Sequence, residues 1–491
     1  SLVQAIFFGF FHESLTDRDK MIEKDRLLFL DPSGLVETAG VRSRCDAAYL
    51  GTQLKLRFPK EIFRVSSVSI NETGFYKSQA NILLKLLTSL SPVKGLPPYC
   101  EVQLEHQTGK FNERITVWSP FAWNERFAGT AGGGTSTGGM QYITAPNNTV
   151  RGWTLPFALL NGFTAATVDA GNANGAQDLI VDPDTRQVNQ ELLENWRARS
   201  THFMTLFGIA VAEILHQRPV RYAYMNGGSG GGRQCLVEAQ EFPQDYDGIW
   251  ASCPAVNWSK FVLGGIWPIA VMNHYGHVLK PGKVEYFRAA VHESVGGKEA
   301  YYKLDHRVDF DPETLVGLRM KDGVITHMDA AVMKEIWNGP RRANGQPLWF
   351  GFRPGVKFWN VGLPVGAFYY SLIGKKPKPF IISRNYARWV TRDPNQDFDA
   401  ITMNAFEELF DLSTTLFAAS AGDQADLHPF AQAGGRLIID HGLDDPLIPV
   451  DGTIDYYERT CRLHGGKEQV DAFCRLYLTP GDGHGNCFGN G

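Results

Sequence analysis

The run Gly227-Gly228-Ser229-Gly230-Gly231 satisfies G-x-S-x-G, the spacing that seats a serine on a sharp turn between a strand and a helix. A serine hydroxyl is a weak nucleophile at neutral pH. It needs a histidine to take its proton and a carboxylate to hold that histidine in one tautomer, and on such a turn the three follow in the order serine, acid, histidine. Downstream, His441-Gly442-Leu443-Asp444-Asp445-Pro446 offers two acids, and Gly481-Asp482-Gly483-His484-Gly485 places a histidine in a glycine-rich turn. Ser229 reads as the nucleophile and His484 as the general base. Asp444 and Asp445 compete for the acid, whereas Asp440 and His441 belong to a strand end and are expected to face structural partners.

An acyl-transfer site also needs donors for the oxyanion, normally the backbone N–H after the serine plus one from an early loop. Gly230 supplies the first. Gly132-Gly133-Gly134, in the turn 126–139, is the source expected for the second, with Gly133 and Gly134 as candidates. Taken alone, the elbow could equally be a glycine turn whose serine caps a helix. A phosphate-binding loop is disfavoured because no Lys-Ser or Lys-Thr pair follows the glycines. The combination of elbow, acid and histidine in order is what points to serine-hydrolase chemistry.

These groups need a scaffold. Short apolar runs rich in β-branched and aromatic residues at 115–118, 165–168, 221–225, 436–439 and 475–478 read as buried strands. Helical stretches at 190–215 and 233–241 alternate with them, so the expected fold class is α/β, a doubly wound, mostly parallel sheet. After Pro254 the alternation stops. Residues 258–397 carry Gly/Pro punctuation and many aromatics (Trp267, Trp337, Trp349, Phe350, Trp359, Phe368, Tyr369, Tyr370, Trp389) and read as an inserted lid. The expected division is a catalytic domain over 1–257 and 398–491 around this insertion, with the α/β pattern resuming in a helix at 405–419.

With 491 residues, 43% of them hydrophobic, the chain can bury a large core. A net charge of -4 without long basic runs argues against nucleic acid and anionic membrane as partners. No run approaches the ~20 apolar residues of a membrane span. Sequons at Asn71, Asn147 and Asn257, together with seven cysteines, favour a secretory route. Cys45 with Cys100 and Cys461 with Cys474 are candidate structural pairs. Because the chain starts at Ser1, the lack of a signal peptide says nothing about its origin.

On these residues the chain resembles the tannase and feruloyl esterase family. The marks include Pro98-Tyr99-Cys100-Glu101-Val102, Trp123-Asn124-Glu125-Arg126-Phe127, the elbow with Arg233-Gln234, and Phe242-Pro243-Gln244-Asp245-Tyr246-Asp247-Gly248. Asp445-Pro446-Leu447-Ile448-Pro449 and Asp455-Tyr456-Tyr457-Glu458-Arg459 continue the series. The resemblance implies an α/β-hydrolase core with a lid, no cofactor, and a small ester of an aromatic acid, gallate- or hydroxycinnamate-like, as substrate. It also implies Asp445 as the acid, since the family's acid directly precedes Pro-Leu-Ile-Pro. Two departures stand out. The family's Cys-Ser and His-Cys pairs, which form a disulfide between the catalytic loops, are Gly228-Ser229 and His484-Gly485 here, with Cys487 displaced by two positions. The stretch 291–307, where relatives carry an acidic calcium loop, offers only scattered acids such as Glu293, Glu299 and Asp305, so no metal site is expected. Acyl transfer to a small metabolite, or a retired site that only binds a phenolic ligand, are the alternative readings.

Overall fold

The computed structural model describes residues 34–76, 93–138, 154–171, 180–182, 184–363 and 366–484. Nine strands form one sheet: β1 (Phe63–Asn71), β2 (Tyr99–Thr108), β3 (Phe111–Pro120), β4 (Arg126–Thr130), β5 (Thr164–Val168), β6 (Tyr222–Gly228), β7 (Gly248–Ser252), β8 (Arg436–Gly442) and β9 (Cys474–Thr479). Their spatial order is β1-β2-β3-β5-β4-β6-β7-β8-β9. The first four in that order pair antiparallel, and from β5 through β9 every pairing is parallel. Burial follows this division. Every residue of β5 is buried, as expected for a parallel strand covered on both faces, whereas β2 runs between buried positions and partly buried or exposed ones.

Helices cover the sheet: α1 (Ala47–Arg57), α2 (Ser200–His216) and α3 (Gly230–Glu241). Asp46 caps α1 by accepting the Tyr49 N–H. The helical run expected at 190–215 is present as Gln190–Glu194, a π-helical turn Asn195–Arg199 and then α2. One expectation shifts. The segment assigned to a turn from residue 126 begins as strand β4, and the turn starts only at Ala131, because Phe127 and Ala128 pack into the apolar layers on the two faces of the sheet.

Between β7 and β8 the chain leaves the sheet and builds a second apolar body from helices α4 (Trp267–His274), α5 (Ile381–Thr391) and α6 (Met403–Leu416), with a small sheet of Trp359–Val361, Phe368–Tyr370 and Pro377–Pro379. Trp258, Trp267, Phe358, Phe368, Tyr386 and Trp389 lie in its interior. That interior continues past residue 397, because Phe406, Leu409 and Phe410 of α6 pack into it. It is anchored to the catalytic region through Leu192, Trp196 and Ile448.

The cysteines divide. A disulfide joins Cys45, just before α1, to Cys100 on β2, while Cys461 and Cys474 are free thiols; Cys487 and Asn147 lie outside the described residues. Asn257 is fully buried, with its amide donating to the Gly452 carbonyl, so this sequon leaves no room for a glycan. The Asn71 amide donates to Phe75 and Tyr99. Among the described residues no helix is long and apolar enough to cross a membrane.

The disulfide closes a loop with a sequence separation of 55. Its removal in a Cys45→Ser/Cys100→Ser variant is expected to lower stability by on the order of 4 kcal/mol, through the chain entropy of the unfolded state. Because β2 lies toward the antiparallel edge, kcat should change little; thermal unfolding and ester turnover of the variant check both halves of this expectation.

Candidate active site

The parallel strands β6 to β9 end at a common edge, with Gly228 opposite Ser252, Ser252 opposite Asp440, and Gly442 opposite Thr479. Three loops leave this edge, and each carries one of the residues singled out in the sequence. Ser229 follows β6 with φ 60° and ψ -122°, a conformation that L-residues rarely adopt and that characterises a serine forced onto a strand-to-helix elbow. The strain is held by hydrogen bonds. The Ser229 N–H donates to the Ser252 carbonyl, and the Ser229 carbonyl accepts from Ala255 and Arg233.

The glycines of the elbow have a steric reason. A Cβ on Gly230 would lie 2.3 Å from the Gly134 carbonyl, and one on Gly231 2.4 Å from the Gly132 carbonyl, so only glycine lets α3 start against the 131–134 loop. Gln234 then clamps that loop, accepting from the Gly132 N–H at 2.9 Å and donating to the Thr137 carbonyl at 3.1 Å. Sequence reading met Gln234 only as a family mark. Its two contacts span more than ninety residues of chain, which no local pattern signals. Gly133 donates its N–H to the Ser136 carbonyl, whereas Gly134 lies on a cavity wall beside Ser229.

Asp445 and His484 meet in the interior. The His484 Nδ1 lies 2.7 Å from the Asp445 Oδ2, and both side chains are fully buried. Since an ionised carboxylate only accepts, Nδ1 carries the proton and Nε2 is the basic nitrogen. His441 shares the same oxygen, with its Nε2 at 3.0 Å and its Nδ1 2.9 Å from the Thr453 hydroxyl. His441, expected to face structural partners, thus meets Thr453 on one side and the candidate acid Asp445 on the other, as a second imidazole on that carboxylate. The i to i+4 reach across a loop is invisible without coordinates. Asp440 does face structural partners, accepting from Trp250 and Ser252. The remaining Asp445 oxygen accepts the N–H groups of Leu447 and Ile448.

Electrostatics follow from these contacts. Burial pushes the Asp445 carboxyl upward, but the two imidazoles outweigh it and hold Asp445 well below the usual carboxylate range. Burial likewise opposes protonation of His484, yet the Asp445 charge, with Cys253 adding to it, raises His484 well above the ordinary imidazole range. Cys253 was not singled out by sequence. It is a buried free thiol with φ 34° just after β7, and its sulfur, an Asp445 oxygen and a His484 nitrogen lie within 4.8 Å of one another.

Asp444 has a different task. It is no surface acid: its carboxylate accepts the Gly481 N–H at 3.0 Å, and burial pushes it up to about 6 while Tyr301, Gly481 and Arg353 act in the other direction. It fastens the start of the histidine loop. Gly442 permits the approach, since a Cβ there would lie 2.2 Å from the Asp482 carbonyl. Gly485 and Cys487, on the far side of His484, lie outside the described residues.

Ser229 opens on a small cavity between the sheet edge and the insertion. Trp258, Phe261 and Phe380 supply its aromatic walls, Val262, Ile382, Leu447 and Ile448 its aliphatic ones, and Gly134, Ala255, Gly265 and Ala367 its room. Among the described residues the side-chain polar groups on this wall are the Ser229 and Ser383 hydroxyls and the Trp258 indole N–H. Of the insertion's aromatic residues, Trp267, Trp359, Phe368, Tyr370 and Trp389 are buried in its own interior.

Comparison with known proteins agrees with this architecture. Residues 100–490 match the family described as tannase and feruloyl esterase. A probable feruloyl esterase of Arthroderma benhamiae is 34% identical over 78% of this chain and 71% of its own length. Among solved structures, feruloyl esterase B from Aspergillus oryzae superposes with a TM-score of 0.69 at 18% identity, covering 89% of this chain and 83% of that one. Tannin acyl hydrolase from Aspergillus niger gives 0.69 at 19% identity, covering 90% and 83%. The fold is that of the α/β-hydrolases, and the chain belongs to the tannase and feruloyl esterase family of carboxylic-ester hydrolases.

Proposed function

We propose that this chain is a serine carboxylesterase that cleaves esters of aromatic acids through an acyl-serine intermediate, in keeping with the feruloyl esterases among its relatives. The observation that carries the reading is the 2.7 Å contact between His484 Nδ1 and Asp445, at the same sheet edge as a serine held at φ 60° on the elbow. In this scheme His484 Nε2 takes the Ser229 proton as the oxygen attacks the ester carbonyl. The developing oxyanion is met by the N–H groups of Gly230 and Gly134. Collapse breaks the ester C–O bond, and His484 returns the proton to the departing alcohol. A water molecule, activated by the same nitrogen, then attacks the acyl-serine and releases the acid with Ser229 restored.

Asp445 holds His484 in the Nδ1–H tautomer and stabilises the imidazolium. His441 and the Leu447 and Ile448 N–H groups hold Asp445 in turn. The insertion acts as the lid, closing the cavity over Ser229. The reading also places the protein outside the cell, as a disulfide-bearing enzyme.

Ser229→Ala should retain the fold by circular dichroism and less than ~1/1000 of the wild-type rate on its best ester. Retention of a tenth of the activity would remove Ser229 from its role. Asp445→Asn should lower kcat by about 10⁴-fold. Asp444→Asn should stay within about tenfold, because its amide oxygen can still accept the Gly481 N–H; the reverse ranking would contradict the assignment of the acid.

Turnover requires neutral His484, whose proton is held more tightly than usual. Hence kcat/KM should rise with pH through a midpoint above the ordinary imidazole value of about 6.5. Replacing Asp445 by asparagine removes the charge that holds the proton, so the midpoint of the residual activity should move to lower pH. A pH–rate profile of both proteins reads the shift and its sign.

A further inference from the structure

Three donor groups of different chemistry converge at the sheet edge. Cys253 follows β7, Asp445 lies in the loop after β8 and His484 in the loop after β9. The Cys253 sulfur, an Asp445 oxygen and a His484 nitrogen lie within 4.8 Å of one another. All three side chains are buried, and Cys253 is a free thiol. Ester cleavage by Ser229 calls for the carboxylate and the imidazole, but not for a thiol. Sulfur, imidazole nitrogen and carboxylate oxygen are together the donor set that binds zinc and, through the sulfur, softer ions such as cadmium. Four-coordinate zinc, with bonds of about 2.0 to 2.3 Å, keeps its donors about 3.3 to 3.8 Å apart. Donors already inside 4.8 Å reach that spacing by small side-chain movements.

Charge and support fit the same ion. A thiolate and a carboxylate carry two negative charges, which a divalent cation cancels without a further counter-ion in the buried site. Metal ligands are oriented by outer hydrogen bonds, and here these are in place. Asp445 accepts from His441 and from the N–H groups of Leu447 and Ile448, His441 is fixed by Thr453, and the Cys253 N–H donates to the Asp440 carbonyl. The thiol also pairs with the His484 imidazole. We infer that Cys253, Asp445 and His484 form a binding site for a thiophilic divalent cation of the zinc class, and that its occupation switches ester cleavage off. A neutral imidazole has one lone pair to offer; given to a metal ion, it no longer takes the Ser229 proton. The thiol proton leaves to solvent as the ion binds, so affinity rises with pH. Hard calcium, considered for residues 291–307, prefers oxygen donors and is a different case. Metal binding stands apart from the esterase reading, whereas the switch rests on it.

Cadmium chloride is the probe for binding, because a cadmium–thiolate bond adds charge-transfer absorption in the ultraviolet. The full chain is used with Cys461, Cys474 and Cys487 changed to serine, so that these thiols do not compete, and circular dichroism verifies the fold of each variant. The band should saturate at one ion per chain and persist when Ser229→Ala is added. It should vanish in Cys253→Ser, and cadmium affinity should fall about tenfold or more in His484→Ala. Should Cys253→Ser fail to fold, Cys253→Ala carries the same readout. Zinc chloride should inhibit hydrolysis of 4-nitrophenyl acetate, with recovery on adding a chelator. The inhibitory zinc concentration should rise about tenfold or more in Cys253→Ser, each protein being compared with its own metal-free rate. A band that survives the loss of Cys253, or an affinity indifferent to His484→Ala, would overturn the site. Zinc inhibition of equal strength with and without Cys253 would overturn the switch. A band with the expected residue dependence, in a protein that cleaves no ester, would leave the metal site standing and overturn the esterase reading.

Discussion

A single buried carboxylate organises this molecule's reactive edge. Asp445 is removed from water, and an ionised group in that position survives only if its lone pairs are taken up by donors. Four groups do so: His484, His441 and the N–H groups of Leu447 and Ile448. Each is tied to a different demand. His484 delivers the base, His441 carries the constraint back through Thr453 to α7 (Val450–Leu463), and the two backbone donors turn the chain so that Leu447 and Ile448 line the cavity. Loss of any one would leave part of a buried charge unmatched, so the catalytic geometry and the local fold stand on the same contacts.

The residue before the serine is Gly228 and the residue after the histidine is Gly485, so no disulfide can join the two loops at these positions. Noncovalent fastenings are visible instead. Asp444 accepts from Gly481, the Asp444 N–H donates to the Asp482 carbonyl, and the Cys253 N–H donates to the Asp440 carbonyl, so the loops after β7, β8 and β9 are tied edge to edge. Gly442 allows the closest of these approaches. The Cys253 thiol fills space beside His484 without a covalent bond.

Much of this was legible in the residues. The parallel strands announced themselves as short apolar runs because both of their faces are covered, and the elbow could be placed because glycine flanks a serine where backbone crowding admits nothing larger. Other features were not. His441 and Asp444 lie one loop from the acid, yet what each does depends on Thr453, Gly481 and Tyr301, which local spacing cannot reveal. The strand Arg126–Thr130 was hidden because its Gly129 and Thr130 resemble the turn they precede. Aromatic content marks the stretch between β7 and β8, but an aromatic side chain packs into an interior and lines a ligand site by the same burial of area, so composition cannot separate the two. The sequon at Asn257 shows the same blindness to burial.

The account stands on Ser229 as the residue that bonds to the acyl group, with Cys253, whose sulfur lies within 4.8 Å of a His484 nitrogen, as the rival nucleophile that the geometry itself provides. The most direct measurement is peptide mapping by mass spectrometry after rapid acid quench of the enzyme with an activated cinnamoyl ester. One acyl group should be found on the peptide containing Ser229, appearing within the first turnover and disappearing as substrate is exhausted. An adduct on Cys253, or turnover with no acylated peptide, would contradict the mechanism.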